Sequence, residues 1–259
     1  MPTLLLILLA NLLSTLVSVG MAAALSFRLL SGLVERLVNV SIGLLLATAL
    51  THMLPEAFAG GVSASRLGWV LLAGILGFFV MEKATLIHHT HHHEGDTHDH
   101  GHGHDAQEAR RGAYPILIGD AFHNFGDGVL IASAFMLDLR SGVLTALAVM
   151  AHEIPHEIGD FMILLNAGLP RRRAFLFMLL SGTSAMLGGL AGYLLLESAR
   201  DLLPYALTLA SASFVYIALS DLLPEMMRRS SLAQTLPDVA LVMVGVVVAA
   251  VVTGGLDPG

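Results

Sequence analysis

The chain has 259 residues, 55% of them hydrophobic and 13% charged, with a formal net charge of -7 and no cysteine. A mean hydropathy of +0.76 excludes an ordinary soluble domain. The missing cysteines exclude disulfides, thiolate metal sites and cysteine nucleophiles, so any metal must be held by imidazole, carboxylate or amide.

Apolar runs long enough to cross a hydrocarbon core of about 30 Å fall at roughly 3–27, 37–59, 67–87, 114–137, 142–167, 174–196, 204–226 and 237–254. They predict an all-α membrane protein with eight transmembrane helices. The first run lacks a basic n-region and a clear small-residue cleavage site, and reads as a retained helix rather than a secretory signal. In span two the string His52-Met53-Leu54-Pro55-Glu56 recurs as Asp221-Leu222-Leu223-Pro224-Glu225 in span seven. Spans two and seven run in opposite directions, so the recurrence predicts an inverted repeat of spans 1-3 and 6-8 around central spans 4-5. The chain then divides into residues 1–87 (spans one to three), 88–113 (a loop), 114–167 (the central metal-binding spans) and 168–259 (spans six to eight).

After span three, residues 88–104 read HHTHHHEGDTHDHGHGH and hold nine of the thirteen histidines. Without apolar periodicity the tract predicts a disordered loop, and its imidazoles beside Asp96, Asp99 and Asp105 suit a weak, multi-site metal buffer. Short cytoplasmic loops collect Lys and Arg. Loops after spans one, three, five and seven hold ten (Arg28, Arg36, Lys83, Arg110, Arg111, Arg171, Arg172, Arg173, Arg228 and Arg229), against three on the other side (Arg66, Arg140 and Arg200). This predicts both termini outside and the histidine-rich loop in the cytoplasm; the compact length points to a bacterial inner membrane.

The central spans carry the chemistry. At about 100° per residue, Asp120, His123, Asn124 and Asp127 line one edge of span four. His152, Glu153, His156, Glu157 and Asp160 occupy less than half the circumference of span five. A charge at mid-bilayer costs roughly 2.5–3.5 kcal/mol on insertion scales, which makes such residues an ion-pathway signal. His123 with Asp127, His152 with His156, and His52 with Glu56 are i, i+4 pairs whose side chains converge on one patch. Neutral imidazole with carboxylate suits Zn²⁺, with Fe²⁺, Mn²⁺ and Cd²⁺ next. Pro155 lacks an N–H and clashes with the carbonyl of Ala151, so it predicts a bend and a freed backbone oxygen that a hydrated cation lane would satisfy.

At HNFGDG (123–128) and HEIPHEIGD (152–160) the chain resembles the ZIP family of metal-ion transporters, in the branch with HNFxDG and HExPHE motifs, and the resemblance covers essentially its whole length. It implies uptake of Zn²⁺, in some members Fe²⁺, Mn²⁺ or Cd²⁺, into the cytoplasm, usually by a homodimer. By motif position it assigns His123, Asn124, Asp127, His152, Glu153 and His156 to the metal. His52 and Glu56 resemble a polar pair along the pathway, and Asp120, Glu157 and Asp160 line that pathway or support the ligands. Relatives with two adjacent metals carry glutamate at position 127 and a carboxylate at 156, from which Asp127 and His156 depart.

Two rival readings remain at this level. HEIPH fits the HExxH pattern of zinc metalloproteases, with Asp127 as a third ligand, although Pro155 distorts the turn and the span-four motif is left unexplained. A metal sensor would need the same ligands; polar residues spread through spans two, four, five and seven favour a lane. No GxxxxGK loop is present to couple ATP, and neither a resident cofactor nor a nucleic-acid partner is expected; the partners are divalent metal ions and the lipid bilayer.

Overall fold

A computed structural model describes residues 2–26, 31–90, 105–224 and 232–253, and among these all regular structure is helical. In chain order the helices are α1 (Pro2–Ser26), α2 (Ser31–Ala47), α3 (Leu54–Ala59), α4 (Ala64–Thr90), α5 (Asp105–Leu137), α6 (Leu139–Asn166), α7 (Arg171–Ser198), α8 (Leu203–Ile217) and α9 (Leu232–Thr253). A π-helical segment, Thr48–Met53, joins α2 to α3 in one rod, and another, Ala218–Leu222, extends α8. The histidine-rich tract from His91 to His104 and the repeat residue Glu225 lie outside the described residues.

Six segments are long and apolar enough to cross a membrane: Pro2–Leu25, Arg36–Ala59, Ala64–Met81, Arg171–Ser198, Arg200–Ser220 and Thr235–Thr253. Helices α5 and α6 fall outside that set because their acids and imidazoles are concentrated in mid-helix. They are the two central helices of the expected eight. The surface is apolar and the interior partly polar: Leu5, Leu9 and Leu13 of α1, Trp69 and Leu76 of α4 and Val251 of α9 are exposed, whereas Asn11, Ser14, Thr15 and Ser18 of α1 are buried. That is the distribution expected where hydrocarbon is the solvent.

Small residues set how closely the rods approach. A Cβ on Gly128 of α5 would lie 1.9 Å from the carbonyl oxygen of Ala185 in α7, and one on Gly188 of α7 2.0 Å from that of Phe125. The α2–α9 crossing is made the same way by Gly43 against Val242 and Gly245 against Val40, and Asn39 Nδ2 of α2 donates to Asp238 Oδ1 of α9 at 2.7 Å. Without a hydrophobic drive between helices in lipid, backbone contact of this kind and interhelical hydrogen bonds supply the association energy.

Proline shapes three rods. Pro155 sits inside α6, which nevertheless continues from Leu139 to Asn166. The freed carbonyl of Ala151 accepts from Ser41 Oγ of α2 at 2.6 Å, a hydroxyl that also lies 2.8 Å from Leu37 O. The partner expected from a hydrated lane is therefore supplied by a neighbouring helix. Ser41→Ala should lower the thermal midpoint of the detergent-solubilised protein by the equivalent of about 1–3 kcal/mol, the cost of an orphaned buried acceptor, and Ser41→Thr, which keeps the hydroxyl, should recover most of it. In the other two rods, Pro55 and Pro224 each follow a π segment. Four residues before each stands a hydroxyl side chain bonded back one turn: Thr51 Oγ1 to Ala47 O at 2.7 Å and Ser220 Oγ to Tyr216 O at 2.8 Å.

Candidate metal centre

Helices α5 and α6 form a tight antiparallel hairpin. Asp138 between them is extended (φ -161°, ψ 170°) and caps α6 by accepting from Ser141 N at 2.9 Å; its other oxygen accepts from the Ser141 hydroxyl. Ser141 Oγ in turn lies 2.6 Å from His52 Nε2 in the π segment of the α2–α3 rod. With the serine hydrogen directed to Asp138, Nε2 of His52 is the donor of that bond.

Asp138 lies in the turn outside the spans. Partial burial pushes its carboxyl up, but the side-chain and backbone hydrogen bonds from Ser141, a backbone bond from Arg140 and the nearby His52 outweigh this, so its pKa lies below the ordinary carboxylate value. A depressed folded-state pKa contributes stability that is present above the unfolded value, near 4, and lost as pH falls through the folded one. Asp138→Ala should therefore cost about 1 kcal/mol at neutral pH, as loss of a helix cap does. The gap in thermal midpoint to wild type should narrow as pH falls through the unfolded value, about 4, and close only once pH lies below the folded-state pKa.

The hairpin register sets HNFGDG beside HEIPH. One ligand atom from each of His123, Asp127, His152 and Glu153 lies within 4.8 Å of the other three. Nε2 of His152 is 3.3 Å from Asp127 Oδ2 and 3.6 Å from Glu153 Oε1. Nε2 of His123 is 3.1 Å from Glu153 Oε1 and 3.9 Å from Asp127 Oδ2, and the two Nε2 atoms are 3.4 Å apart. Asp127, His152 and Glu153 are each at most 3% exposed. His152 Nδ1 faces Ala148 O at 3.2 Å; as the donor there it aims the Nε2 lone pair at the carboxylates, the orientation in which histidine binds a metal. Asp127 Oδ2 and both oxygens of Glu153 are buried without a hydrogen bond of good geometry. A set of buried nitrogen and oxygen acceptors converging on one point is chemically suited to a cation of the zinc type.

Other predicted residues are distributed around this point. His156 stacks on His123 with ring centroids 5.1 Å apart, but it is half-exposed and its Nδ1 is 3.7 Å from Asp160 Oδ2. It groups with Asp120 and Asp160 rather than with the four residues above. Asn124 Nδ2 donates to Asp120 Oδ1 at 2.8 Å and to Asp120 O at 3.1 Å. Asp120, Glu153 and Glu157, all buried, form a third group. His52 stands towards the opposite end of α6, against Ser141, and Glu56, one turn further on in α3, is exposed.

Sequence reasoning passed over four residues that shape the centre. Ser181 of α7 donates to Asp120 Oδ2, and Ser184 to the carbonyl of Ala121 at 2.6 Å. Phe214 of α8 stands edge-on to His152 at 6.4 Å, and Ser141 holds His52. Serines on an apolar helix and a core phenylalanine carry no local signal; only their position across an interface reveals them.

The described helices and this donor set define a multi-pass helical membrane protein whose interior carries groups able to hold a metal ion. A family model described as ZIP Zinc transporter matches residues 87–253. The chain is 31% identical to zinc transporter ZIP13 of Pongo abelii over 233 residues, covering 83% of this chain and 65% of that protein. It is 42% identical to human zinc transporter ZIP4 over 121 residues (47% of this chain, 18% of ZIP4) and 40% identical to mouse zinc transporter ZIP10 over 115 residues (44% and 14%). The chain belongs to the ZIP zinc transporter family. The matches span a small part of ZIP10 and ZIP4 and just under two thirds of ZIP13.

Proposed function

We propose that the protein carries a divalent transition-metal ion into the cytoplasm through the α5–α6 centre, zinc before iron, manganese or cadmium. The observation that carries this reading is the buried convergence of His123, Asp127, His152 and Glu153, in the middle of two helices packed among apolar rods. Asn124, through its amide oxygen, and His156, stacked beside His123, complete the set. The hydrated ion meets His52 and Glu56 first, exchanges waters for imidazole and carboxylate at the centre, and leaves past Asp120, Glu157 and Asp160 towards the histidine-rich loop. Carboxylates lower the cost of dehydration and imidazoles favour transition metals over Ca²⁺ and Mg²⁺.

The excess of basic residues at the helix ends that flank the α1–α2, α4–α5, α6–α7 and α8–α9 connections supports a cytoplasmic location for those ends and for the histidine-rich tract. An inverted repeat relating spans one to three with six to eight is supported by the paired π segments, each ahead of Leu-Pro and each containing a back-bonded hydroxyl. Such repeats move against one another in alternating access. A homodimer is the assembly in keeping with the family resemblance.

A metalloprotease would hold its metal with His152 and His156 and keep Glu153 as base. Here Glu153 instead contacts both His123 and His152, and His156 faces Asp160, which disfavours that use of HEIPH. The test is zinc uptake into proteoliposomes holding the purified chain under a zinc gradient. Uptake above empty vesicles supports transport; tight binding without uptake would transfer the assignment to a sensor, and peptide cleavage to a protease.

A further inference from the structure

We propose that a groove between α5 and α7, on the outer face of the bundle, seats an acyl chain of one anionic phospholipid, whose phosphate is held by Arg172 and Arg173 at the groove's mouth. The lipid belongs to the leaflet in which α7 begins. The proposal stands apart from the transport reading, because it concerns the surface that meets lipid and not the metal centre.

The groove has a volume of about 490 Å³ and is walled by Phe177, Leu180, Ser181 and Ser184 of α7 and by residues of α5 that include Ile118 and Phe122. Its rims are open to the surroundings: Ile118, Phe122 and Leu180 are 58%, 70% and 66% exposed. Both serine hydroxyls are turned away from it, Ser181 donating to Asp120 Oδ2 and Ser184 to the carbonyl of Ala121. The remaining lining is hydrocarbon and aromatic ring, which suits a methylene chain and no polar ligand. An unfilled cleft forfeits dispersion contacts, and in a bilayer a lipid chain supplies them.

Dimensions and charge identify the lipid. From Arg173 to Ser184 α7 rises about 16 Å, at roughly 1.5 Å per residue, which matches half of a hydrocarbon core about 30 Å thick. Past Ser184 the two helices meet backbone to backbone, at Gly128 against Ala185 and at Gly188 against Phe125. The groove therefore has the depth of one leaflet. Arg171, Arg172 and Arg173 open α7 and are exposed, and its first turn holds no acidic residue. Positions 173, 177, 180, 181 and 184 recur at helical spacing, so Arg173 heads the face that walls the groove. Arginines at the membrane surface attract anionic headgroups, and guanidinium pairs with phosphate through parallel hydrogen bonds. The partial charge at the start of α7 has the same sign. A second copy of the chain suits the face less well, since a two-fold contact there would bring two arginine triplets to the same depth.

The experiment is native mass spectrometry of the purified full-length protein, delipidated in detergent and titrated with phosphatidylglycerol or with phosphatidylcholine of the same acyl chains. Wild type should retain one phosphatidylglycerol roughly tenfold more tightly than phosphatidylcholine, and Arg172→Gln combined with Arg173→Gln should remove that preference. Phe122→Ala and Phe177→Ala keep the arginines and should each weaken retention of both lipids about threefold or more. Basic residues elsewhere are common to every form, so the differences report this groove. Equal retention of the two lipids by wild type would overturn the proposal. So would phosphatidylglycerol retention that neither phenylalanine variant changes, the result of a headgroup resting on the arginines with no chain seated. Dimers that become scarcer in the phenylalanine variants, with lipid retention unaltered, would overturn it in favour of an interface between copies. Phe122 is the most exposed of the wall residues, so its variant is the one least able to disturb packing, and an unchanged elution profile shows that a variant has folded. Zinc uptake plays no part in the readout, so failure of the transport reading leaves this result unaffected.

Discussion

His152→Ala should abolish zinc uptake by proteoliposomes and weaken zinc binding at the centre by about a hundredfold or more, with Asp127→Ala close behind. Disturbing even a residue that merely supports a metal ligand typically costs 10–100-fold, and these two side chains are themselves at the point of convergence. His152 is the better probe because it has no substitute. Its Nδ1 is engaged with Ala148 O and its Nε2 faces Asp127 and Glu153. Removing it leaves two buried carboxylates with only His123 between them. Asp127→Glu, which moves the carboxylate by one methylene, should retain binding but change the rate. His52→Ala, in contrast, should reduce uptake at low zinc more than at saturating zinc, because it acts before the centre. Undiminished uptake by His152→Ala, in protein that elutes and melts as wild type does, would show that the ion takes another route.

The largest structural effect is expected from a single methyl group at Gly128. Its Cβ would meet the backbone carbonyl of Ala185 at 1.9 Å, with Ala185 C and Gly189 N close behind. No side chain can rotate away, so α5 and α7 must separate by more than an ångström. Overpacking of this kind costs typically about 1–3 kcal/mol, occasionally more, and a backbone clash belongs at the upper end. The same separation stretches the bonds from Ser181 to Asp120 and from Ser184 to Ala121 O, so metal affinity should fall with stability. Gly126, two residues earlier in the same motif, is the control: a Cβ there meets nothing within 4 Å. Gly126→Ala should be neutral or stabilise the helix by up to about 1 kcal/mol through reduced backbone freedom. Thermal midpoints of the two variants would decide the point; similar losses for both would mean that the α5–α7 approach is not what Gly128 provides.

The motif spacing alone places imidazole and carboxylate on one edge each of α5 and α6, since i and i+4 side chains share a face whatever the helix packs against. His123 with Asp127 is close to what that rule predicts. His156 tests its limit: it is one turn from His152 and on the same side, yet its ring turns to Asp160, which also lies one turn away. Helical periodicity offers both neighbours, and packing against His123 selects between them. Motif position assigns Asn124 to the metal, and the fold adds a bond that the motif does not show, from its amide nitrogen to Asp120. Six outer segments are long and apolar enough to span by composition, whereas α5 and α6 carry mid-helix imidazoles and carboxylates that lower their average hydropathy.

By itself the sequence determined that the chain is helical, that it belongs in a membrane, and which edges of two helices carry imidazole and carboxylate. These follow from composition and from a repeat of 3.6 residues, both local properties. Only the tertiary structure decided which edges face each other, that Glu153 stands between His123 and His152 while Glu157 faces Asp120, and that Ser41 satisfies the carbonyl displaced by Pro155. Those outcomes depend on the rotation and depth of each rod. In lipid these are set by backbone contact at residues such as Gly128 and Gly188 and by single interhelical hydrogen bonds, none of which leaves a periodic trace along the chain.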